Sequence, residues 1–215
     1  MSGENHLAVI KVGGSLLPLP ELPRRLSAVV RQLSGRRPLI VCGGGASADI
    51  VRGWQRVHGI SDEQAHWLAF RAVSLNERLL ADLLPCASVA ATRDEVQAAW
   101  SDGRLPILAA EPFVREEEPQ APDPLPHDWT VTSDSLAAWV ARRLNGDRLV
   151  LLKSCDLPAN VSLEEASARS LVDAYFPTCA ALLTVDWVNL RTEVPQLCPW
   201  RPCREHPLSS LRQPV

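Results

Sequence analysis

The stretch Leu7-Ala8-Val9-Ile10-Lys11-Val12-Gly13-Gly14-Ser15 decides the fold of this chain. Its apolar run predicts a buried strand, and the glycine pair that follows predicts a tight turn into a helix. Glycine permits positive φ and lets a charged ligand approach the backbone N–H groups, so such a turn can hold a phosphate. The stretch therefore predicts a phosphate-binding turn beside Lys11.

A second glycine turn follows about thirty residues later, where Leu39-Ile40-Val41-Cys42 precedes Gly43-Gly44-Gly45. The spacing of both turns excludes the Walker G-x-x-x-x-G-K-[ST] motif and the G-x-G-x-x-G dinucleotide motif. One glycine pair after a strand is more often a simple tight turn. Two such turns, with a lysine at the end of the first strand, indicate two phosphate-bearing ligands and the transfer of a phosphoryl group between them.

Length and composition set the outer limits of the interpretation. The 215 residues are 46% hydrophobic and carry a net charge of -3, which predicts a single domain over 1–215 with no general attraction for nucleic acid or anionic membrane. The apolar stretches are too short to span a bilayer, and the amino terminus lacks a secretory signal pattern. We therefore expect a cytoplasmic protein with neither a nucleic-acid nor a membrane partner.

Short apolar runs alternate with helical patterns along the chain, which is typical of a parallel α/β sheet. Further strands are expected near 87–91, 105–109, 149–153 and 180–185, and helices near 46–57 and 62–84. In the longer helix, the predicted core-facing residues are Trp67, Phe70, Val73, Leu79 and Leu83. The sequence thus predicts an α/β fold.

Two segments and one residue cluster predict no regular element. Residues 111–127 hold five prolines and three consecutive glutamates, so we expect a long surface loop, either a solvated connector or a lid over the acceptor site. Residues 192–215 are expected to be irregular. The six cysteines should be reduced. Cys198, Cys203 and His206 are the one grouping that suggests a metal, but their spacing is loose and a fourth ligand is not evident, so no metal site is predicted.

The segment His127-Asp128-Trp129-Thr130-Val131-Thr132-Ser133-Asp134-Ser135-Leu136 is the third informative stretch. Thr132 or Ser133 can cap a helix, which places Asp134 in its first turn. An acid there is ordinary, but Lys11 at the inner end of a core strand needs a compensating carboxylate. Asp134 is the best candidate for that carboxylate. It would fix the Lys11 ammonium where charge develops during phosphoryl transfer.

These three motifs, in this order and at these intervals, resemble those of the amino acid kinase family, which includes acetylglutamate, uridylate and isopentenyl phosphate kinases. The resemblance runs from about residue 7 to 156 and continues more faintly to about 191. Within the family, the helix segment Asp49–Arg52, His66 and the string from His127 to Leu136 are most similar to the small archaeal-type kinases of methanofuran biosynthesis. Those enzymes phosphorylate an aminomethyl-furanmethanol phosphate to its diphosphate.

The resemblance implies a three-layer αβα sandwich with a mainly parallel open sheet, ATP and Mg²⁺ at the carboxyl ends of the strands, and a homo-oligomer. It implies that Lys11 bridges the phosphates in the transition state and that Asp134 orients it. The implied ATP-phosphate residues are Gly13, Gly14, Ser15, Lys153 and Asp156, and the implied acceptor residues are Gly43, Gly44, Gly45, Arg52, His66, His127, Trp129 and Thr132. For Arg52 and His66 a surface salt bridge and a core histidine are the structural alternatives.

The chain also departs from the family after Asp156. The usual Val-Asp-Gly-Val-Tyr is replaced by Leu157-Pro158-Ala159-Asn160, and the later stretch with a second catalytic lysine is not recognisable. The candidates for this second positive charge are Lys153, Arg191 and Arg201, and the alternative is that no residue supplies it.

Three functions follow from the sequence. The preferred one is an ATP-dependent kinase for a small phosphorylated metabolite of the furan phosphate type. A kinase for uridylate, isopentenyl phosphate or an amino acid carboxylate is the second, and a non-catalytic ligand-binding protein is the third. An acceptor phosphate is already an anion, so no general base is expected.

Overall fold

A computed structural model describes residues 6–201, and within them seven strands form one sheet. The strands are β1 Leu7–Val12, β2 Arg37–Cys42, β3 Ala87–Ala90, β4 Leu105–Leu108, β5 Arg148–Lys153, β6 Thr184–Asn189 and β7 Cys198–Arg201. Their order in the sheet is β3-β4-β2-β1-β5-β6-β7. The first six strands run parallel, and β7 pairs antiparallel with β6.

Helices cover both faces of this sheet, as the predicted α/β sandwich requires. They are α1 Leu22–Gln32, α2 Ala46–His58, α3 Asp62–Leu83, α4 Arg93–Ser101, α5 Ala110–Glu117, α6 Ser133–Arg143, α7 Leu163–Ala168 and α8 Phe176–Cys179. The apolar core is correspondingly divided into two clusters, one on each side of the sheet. The predicted fold class is confirmed. No helix in the described residues is both long and apolar enough to cross a bilayer.

The central strand β1 is buried along its whole length. Side chains alternate between the faces of a strand, so Lys11 follows Leu7 and Val9 toward one apolar cluster while Ile10 packs into the other. Parallel strands covered on both faces are normally continuous apolar runs. A lysine in this position therefore needs a partner from the helices that cover its face.

Helix α6 lies on that face and is buried on all sides. Every residue from 134 to 141 is buried, including the carboxylate of Asp134. The Trp139 indole is fully inside the core and donates its N–H to the carbonyl of Asp123. Because α6 begins at the carboxyl edge of the sheet, its first turn is where Asp134 approaches the end of β1.

The prediction of a loop over 111–127 is wrong in its first half. Helix α5 spans Ala110–Glu117, and a 3-10 turn spans Glu118–Gln120. Pro112 lies in the first turn of α5, where a missing N–H breaks no intrahelical bond, and Phe113 and Val114 are buried. Proline is excluded from the interior of a helix but is tolerated in its first turn, which the sequence prediction did not consider.

The irregular segment expected over 192–215 contains strand β7, which pairs through Trp187 and Cys198. Cys203 and His206 lie outside the described residues. The strand expected over 180–185 begins later, at Thr184, because Phe176–Cys179 forms a short helix before it.

The core-facing stripe predicted for α3 is correct only in its first half. Phe70 and Val73 are buried, but Leu79 and Leu83 are exposed, and Leu80 takes the inward position. Two polar residues, Asn76 and Glu77, occupy the buried face between them.

Candidate active site

The two glycine turns leave the same edge of the sheet and pack against each other. Strands β1 and β2 are parallel neighbours, and the Gly43 N–H donates to the Val12 carbonyl over 2.8 Å. A Cβ atom on Gly14 would lie only 2.2 Å from the backbone nitrogen of Gly45, which itself has a φ of +51°. The turns therefore form one continuous backbone surface rather than two separate phosphate sites.

Asn76 holds the second turn in place from α3. Its Nδ2 donates to the carbonyls of Gly43 and Gly44 over 2.8 and 2.9 Å, and its Oδ1 accepts from the Ser47 hydroxyl over 3.1 Å. The side chain is buried. The sequence analysis did not identify this residue. The signal that could have identified it is an amide side chain within the apolar stripe of a helix.

The N–H groups of the two turns remain available to a ligand. Those of Gly14, Ser15, Gly44 and Gly45 have no acceptor among residues 6–201. Since Asn76 binds the carbonyl side of the second turn, the N–H side is left for a ligand. Free backbone N–H groups on adjacent glycine turns favour an anion such as a phosphate.

Asp134 lies between two buried lysines at the floor of this surface. The Lys11 Nζ is 3.0 Å from Asp134 Oδ1, and Lys153 donates to Oδ2 over 2.7 Å. Lys153 also donates to the carbonyl of Leu171 over 2.7 Å. Lys11 and Asp134 are only 5% and 4% exposed. The expected contact between Lys11 and Asp134 is present, and Lys153, expected to border the nucleotide, shares the same carboxylate.

The charges of this triad do not cancel. Burial alone would raise the pKa of Asp134, but the charges of Lys11 and Lys153 outweigh it and hold the pKa below its usual range. Burial, and then repulsion from Lys11, lower the pKa of Lys153. Two ammonium groups on one carboxylate leave the triad with a net positive charge, which no further ion pair among residues 6–201 offsets although the charge of Asp173 acts on Lys153. An anionic ligand would supply the missing partner.

Lys11 and Lys153 are the only lysines in the sequence, and the other residues in the combined lysine and arginine count are all arginines. Lysine offers a compact point charge whose pKa responds to its surroundings, whereas arginine stays charged and presents a planar fork. Both lysines, the basic residues whose pKa can respond to a ligand, therefore lie at this one carboxylate.

Asp173 organises the beginning of α6. Its Oδ2 accepts from the Thr132 N–H, the Thr132 hydroxyl and the Ser135 N–H over 3.0, 2.8 and 3.0 Å, and its Oδ1 accepts from the Ser135 hydroxyl. Thr132 is the N-cap residue, but its own hydroxyl caps nothing. The Thr132 hydroxyl, expected to serve the acceptor, is thus engaged by Asp173, which no local sequence signal indicates.

A cavity of about 220 Å³ opens beside the triad, between the second glycine turn, α2, α3 and the start of α6. The predicted acceptor residues that line it are Gly44, Gly45, Arg52, His66, Trp129 and Thr132, together with Lys11. The guanidinium carbon of Arg52 lies 4.2 Å from the ring centroid of Trp129. Arg52 also pairs with Asp49 over 2.8 Å. Gly43 and His127, also expected to bind the acceptor, do not line this cavity.

His66 presents an unpaired nitrogen among these lining residues. Its Nε2 is buried and has no hydrogen-bond partner among residues 6–201. Burial, and then the charge of His127, lower the pKa of His66 to about 4, so the ring is neutral at pH 7.

His127 supports His66 rather than lining the cavity. The two rings stack with their centroids 4.1 Å apart. The His127 ring nitrogens lie 2.5 Å from a Glu63 oxygen and 2.8 Å from a Glu118 oxygen. Burial would lower the pKa of His127, but these two carboxylates raise it. His127 is therefore held between two acids, and its protonated form adds to the effect of burial in lowering the pKa of His66.

The residues expected on the nucleotide side lie around the first turn and the end of β5. The Ser15 hydroxyl is 3.4 Å from that of Ser154, and Asp156 accepts from Asn189 over 3.0 Å. Arg191 approaches the Ser15 carbonyl over 3.5 Å. A second cavity, of about 410 Å³, is lined by residues 156–161, Trp187, Asn189 and residues 198–200.

A profile of the amino acid kinase family matches residues 6–156. The chain belongs to the amino acid kinase family. This membership supports a phosphotransferase, as the motifs predicted. No curated protein matches the chain in a sequence search.

Solved structures with the same fold include two uridylate kinases. The Archaeoglobus fulgidus uridylate kinase is 17% identical with a TM-score of 0.58, and the alignment covers 84% of this chain and 89% of that one. The Bacillus anthracis UMP kinase is 16% identical with a TM-score of 0.58, and the alignment covers 87% and 88%. At these identities the likeness concerns the fold alone.

Because the glycine turns are in contact, we expect that one methyl group added at Gly14 strongly destabilises this amino acid kinase. Gly14→Ala should lower the free energy of unfolding by at least about 2–3 kcal/mol, because the added Cβ meets the Gly45 backbone. Gly53→Ala is the matched control. Gly53 lies inside α2 with open space around it, so alanine should stabilise by about 0.5–1 kcal/mol. Urea unfolding measures both, and equal effects would disprove the close packing of the turns.

The lowered pKa of His66 predicts a pH-dependent stability. Below pH about 6.5 the unfolded chain binds a proton that the folded ring does not bind until pH about 4, so the contribution of His66 to the free energy of unfolding falls as pH falls through this window, by at most about 3 kcal/mol. Glu77, whose pKa is raised by burial to about 7, contributes in the opposite direction. The charged groups that act on His66 are His127, Glu63, Asp128 and Arg115. His66→Phe keeps the aromatic ring and should remove this contribution, so the difference in unfolding free energy between wild type and variant should change with pH, as measured by urea unfolding at each pH.

A control substitution tests whether this effect is local to His66. His58→Gln, at an exposed position on α2, should leave the pH dependence of the wild type unchanged. A difference between wild type and His66→Phe that stays constant over this pH range would show that His66 is not the titrating group.

Proposed function

We propose that this protein is an ATP-dependent kinase that transfers the γ-phosphoryl group to a small phosphorylated metabolite. The observation that carries the proposal is the buried triad of Lys11, Asp134 and Lys153. Its net positive charge lies where two turns present N–H groups that have no acceptor in the described part of the chain. Phosphoryl transfer depends mainly on alignment and on charge stabilisation. This arrangement supplies both.

In the proposed reaction, an oxygen of the acceptor phosphate attacks the γ-phosphorus of ATP. The bond from that phosphorus to the β–γ bridging oxygen breaks, and ADP leaves with the electron pair. Because the acceptor phosphate is already an anion, no side chain needs to remove a proton. Lys11 would neutralise charge on the moving group, Asp134 would hold Lys11 in place, and the N–H groups of Gly14 and Ser15 would bind the ATP phosphates.

The residues present fit magnesium that arrives with ATP rather than a protein-built metal site. No group of three histidine, cysteine or acidic side chains suited to a metal occurs in residues 6–201. Asp134, the buried acid at the site, is occupied by both lysines. Mg²⁺ commonly keeps several waters and binds substrate phosphates. We therefore propose that phosphate oxygens and water supply its ligands.

We further propose that the cavity of about 410 Å³ holds the nucleoside end of ATP. It adjoins Asp156 at the carboxyl ends of β5 and β6, and the indole rings of Trp187 and Trp200 line it. Leu157–Asn160, which replaces the usual family segment, forms one side. The altered sequence would thus build its own wall for the base and ribose.

The smaller cavity supports a small anionic acceptor. It holds about 220 Å³, and no acidic side chain occurs among the described residues that line it. Arg52 would bind the acceptor phosphate, with Lys11 close to the transferred group. A furan phosphate of a methanofuran-type C1 carrier pathway remains the acceptor we prefer. Uridylate, isopentenyl phosphate and an amino acid carboxylate are the alternatives within the family.

Substitution of Lys11 tests this proposal directly. Lys11→Ala should reduce ATP turnover, assayed with a panel of phosphorylated acceptors, by at least about 10²- to 10³-fold. The fold should be retained, because removal of Lys11 leaves a neutral Asp134–Lys153 pair. Calorimetric titration with ATP separates the functions. Equal turnover in the variant would remove Lys11 from the mechanism, and a wild type that binds no ATP would favour the non-catalytic ligand-binding function.

We also propose that the protein forms a homo-oligomer through α2 and α3. These helices pack against each other and expose two apolar rows, Ile50, Trp54 and Val57 on α2 and Leu75, Leu79 and Leu83 on α3. The exposed fractions range from 38% at Leu83 to 75% at Val57. Apolar patches of this kind are unusual on monomers, and one row from each copy would cover the other.

Sedimentation velocity tests this assembly. The wild type should sediment as a dimer or larger species, and Trp54→Glu should dissociate it, because a carboxylate would be buried without a partner. Val194→Glu, at an exposed valine away from these helices, should leave the assembly unchanged. A monomeric wild type would disprove the proposal.

A further inference from the structure

A third cavity lies at the opposite edge of the sheet from the glycine turns. It holds about 580 Å³ and is lined at the amino ends of β2 and β4, just before β3, and at the last turns of α1 and α4. Four arginines line it, Arg31, Arg36, Arg37 and Arg104, and no acidic side chain does so among the described residues. On a chain with a net charge of -3, this concentration of positive charge is local.

Only one of these guanidinium groups is neutralised within the described chain. Arg36 binds Asp147 with both of its terminal nitrogens, over 2.6 and 3.0 Å. Arg37 donates to the amide oxygen of Gln97 over 3.2 Å, and Arg104 donates to a backbone carbonyl. These acceptors are uncharged, and Arg31 makes no hydrogen bond or ion pair with residues 6–201. Three positive charges therefore face the cavity without a carboxylate.

The wall of the cavity is held in place by its own contacts. The guanidinium of Arg37 lies 5.7 Å from the ring centroid of Trp100, whose indole N–H donates to the carbonyl of Pro38 over 2.7 Å. Side chains fixed before binding lose little entropy when a ligand arrives. Arginine forks also match phosphate oxygens in geometry and charge.

We propose that this cavity is a second ligand site, which binds a small molecule carrying two or more phosphate groups. Its volume is within the range of ordinary ligand pockets and exceeds that of the acceptor cavity. Three unneutralised arginines suit more than one phosphate. Because the site lies at the other edge of the sheet, its ligand takes no part in the phosphoryl transfer proposed above, and this inference stands independently of that function.

Cys86 provides a local reporter for the site, because it is exposed and lines the cavity. The experiment measures its alkylation rate in the full-length protein by peptide mass spectrometry, with and without inorganic tripolyphosphate. At ten times the dissociation constant, a shielding ligand should slow alkylation about tenfold. Cys155, an exposed thiol at the opposite edge, reports separately on binding at the triad.

Paired substitutions show whether the arginines are responsible. Arg31→Gln with Arg104→Gln should abolish the protection of Cys86. Arg31→Glu alone should weaken it without disturbing the fold, because Arg31 has no partner in the described part of the chain. Arg24→Gln with Arg169→Gln changes the net charge equally at exposed positions outside the cavity and should leave the protection intact. Circular dichroism confirms folding of each variant.

Three outcomes would overturn the proposal. Alkylation of Cys86 at the same rate with and without millimolar tripolyphosphate would show that no such anion binds there. Equal loss of protection in the control pair would show that only net charge matters. Protection by single-stranded RNA but not by tripolyphosphate would assign the arginines to a nucleic-acid surface instead.

Discussion

The arrangement of this protein depends on one buried carboxylate shared by two ammonium groups. Asp134 joins the end of β1 through Lys11, the end of β5 through Lys153 and the first turn of α6. Each of these charges would be costly to bury alone, and removing a partner from a buried pair commonly costs several kcal/mol. The ion pairs of Asp134 therefore both hold α6 across the centre of the sheet and set the electrostatics of the site.

The triad is also incomplete in a way that favours a ligand. Within residues 6–201, one positive charge of the triad is not offset by an ion pair, and the neighbouring turns present N–H groups without acceptors. A phosphate at this point would satisfy both needs at once. The close contact between Gly14 and Gly45 means that donor and acceptor phosphates would share one backbone surface. In-line transfer requires the two phosphates to be close together, which two separated phosphate sites would not provide.

The two edges of the sheet differ in chemistry because they differ in which basic residue they carry. The carboxyl edge holds both lysines of the chain, buried and sharing an acid, so that their charge responds to what binds. The amino edge holds four arginines that remain charged, and three of them have no carboxylate partner among the described residues. An interior site needs the adaptable cation, whereas an open cavity tolerates a permanent one, since water still reaches it.

The sequence by itself determined the features that depend on local pattern. The alternation of apolar runs and helical patterns predicted the parallel α/β sheet, both glycine turns and helix α6. The cost of burying a charge predicted that Lys11 meets Asp134. The family motifs followed from the same stretches. The boundaries of helices and strands were harder to predict where local rules compete. Pro112 is an example, because proline generally ends a helix but breaks no intrahelical hydrogen bond in the first turn.

Only the tertiary structure decided which distant residues complete the site. Asp173 caps α6 from 38 to 41 residues away, and Asn76 holds a turn 32 and 33 residues before it. Lys153, expected to border the nucleotide, also shares the carboxylate of Asp134, a contact that the sequence did not predict. Strand β7 adds the wall that carries Trp200. Hydrogen bonds and ion pairs act over about 3 Å in space whatever the separation along the chain, so a periodic pattern locates each element but not the partner that its polar groups meet.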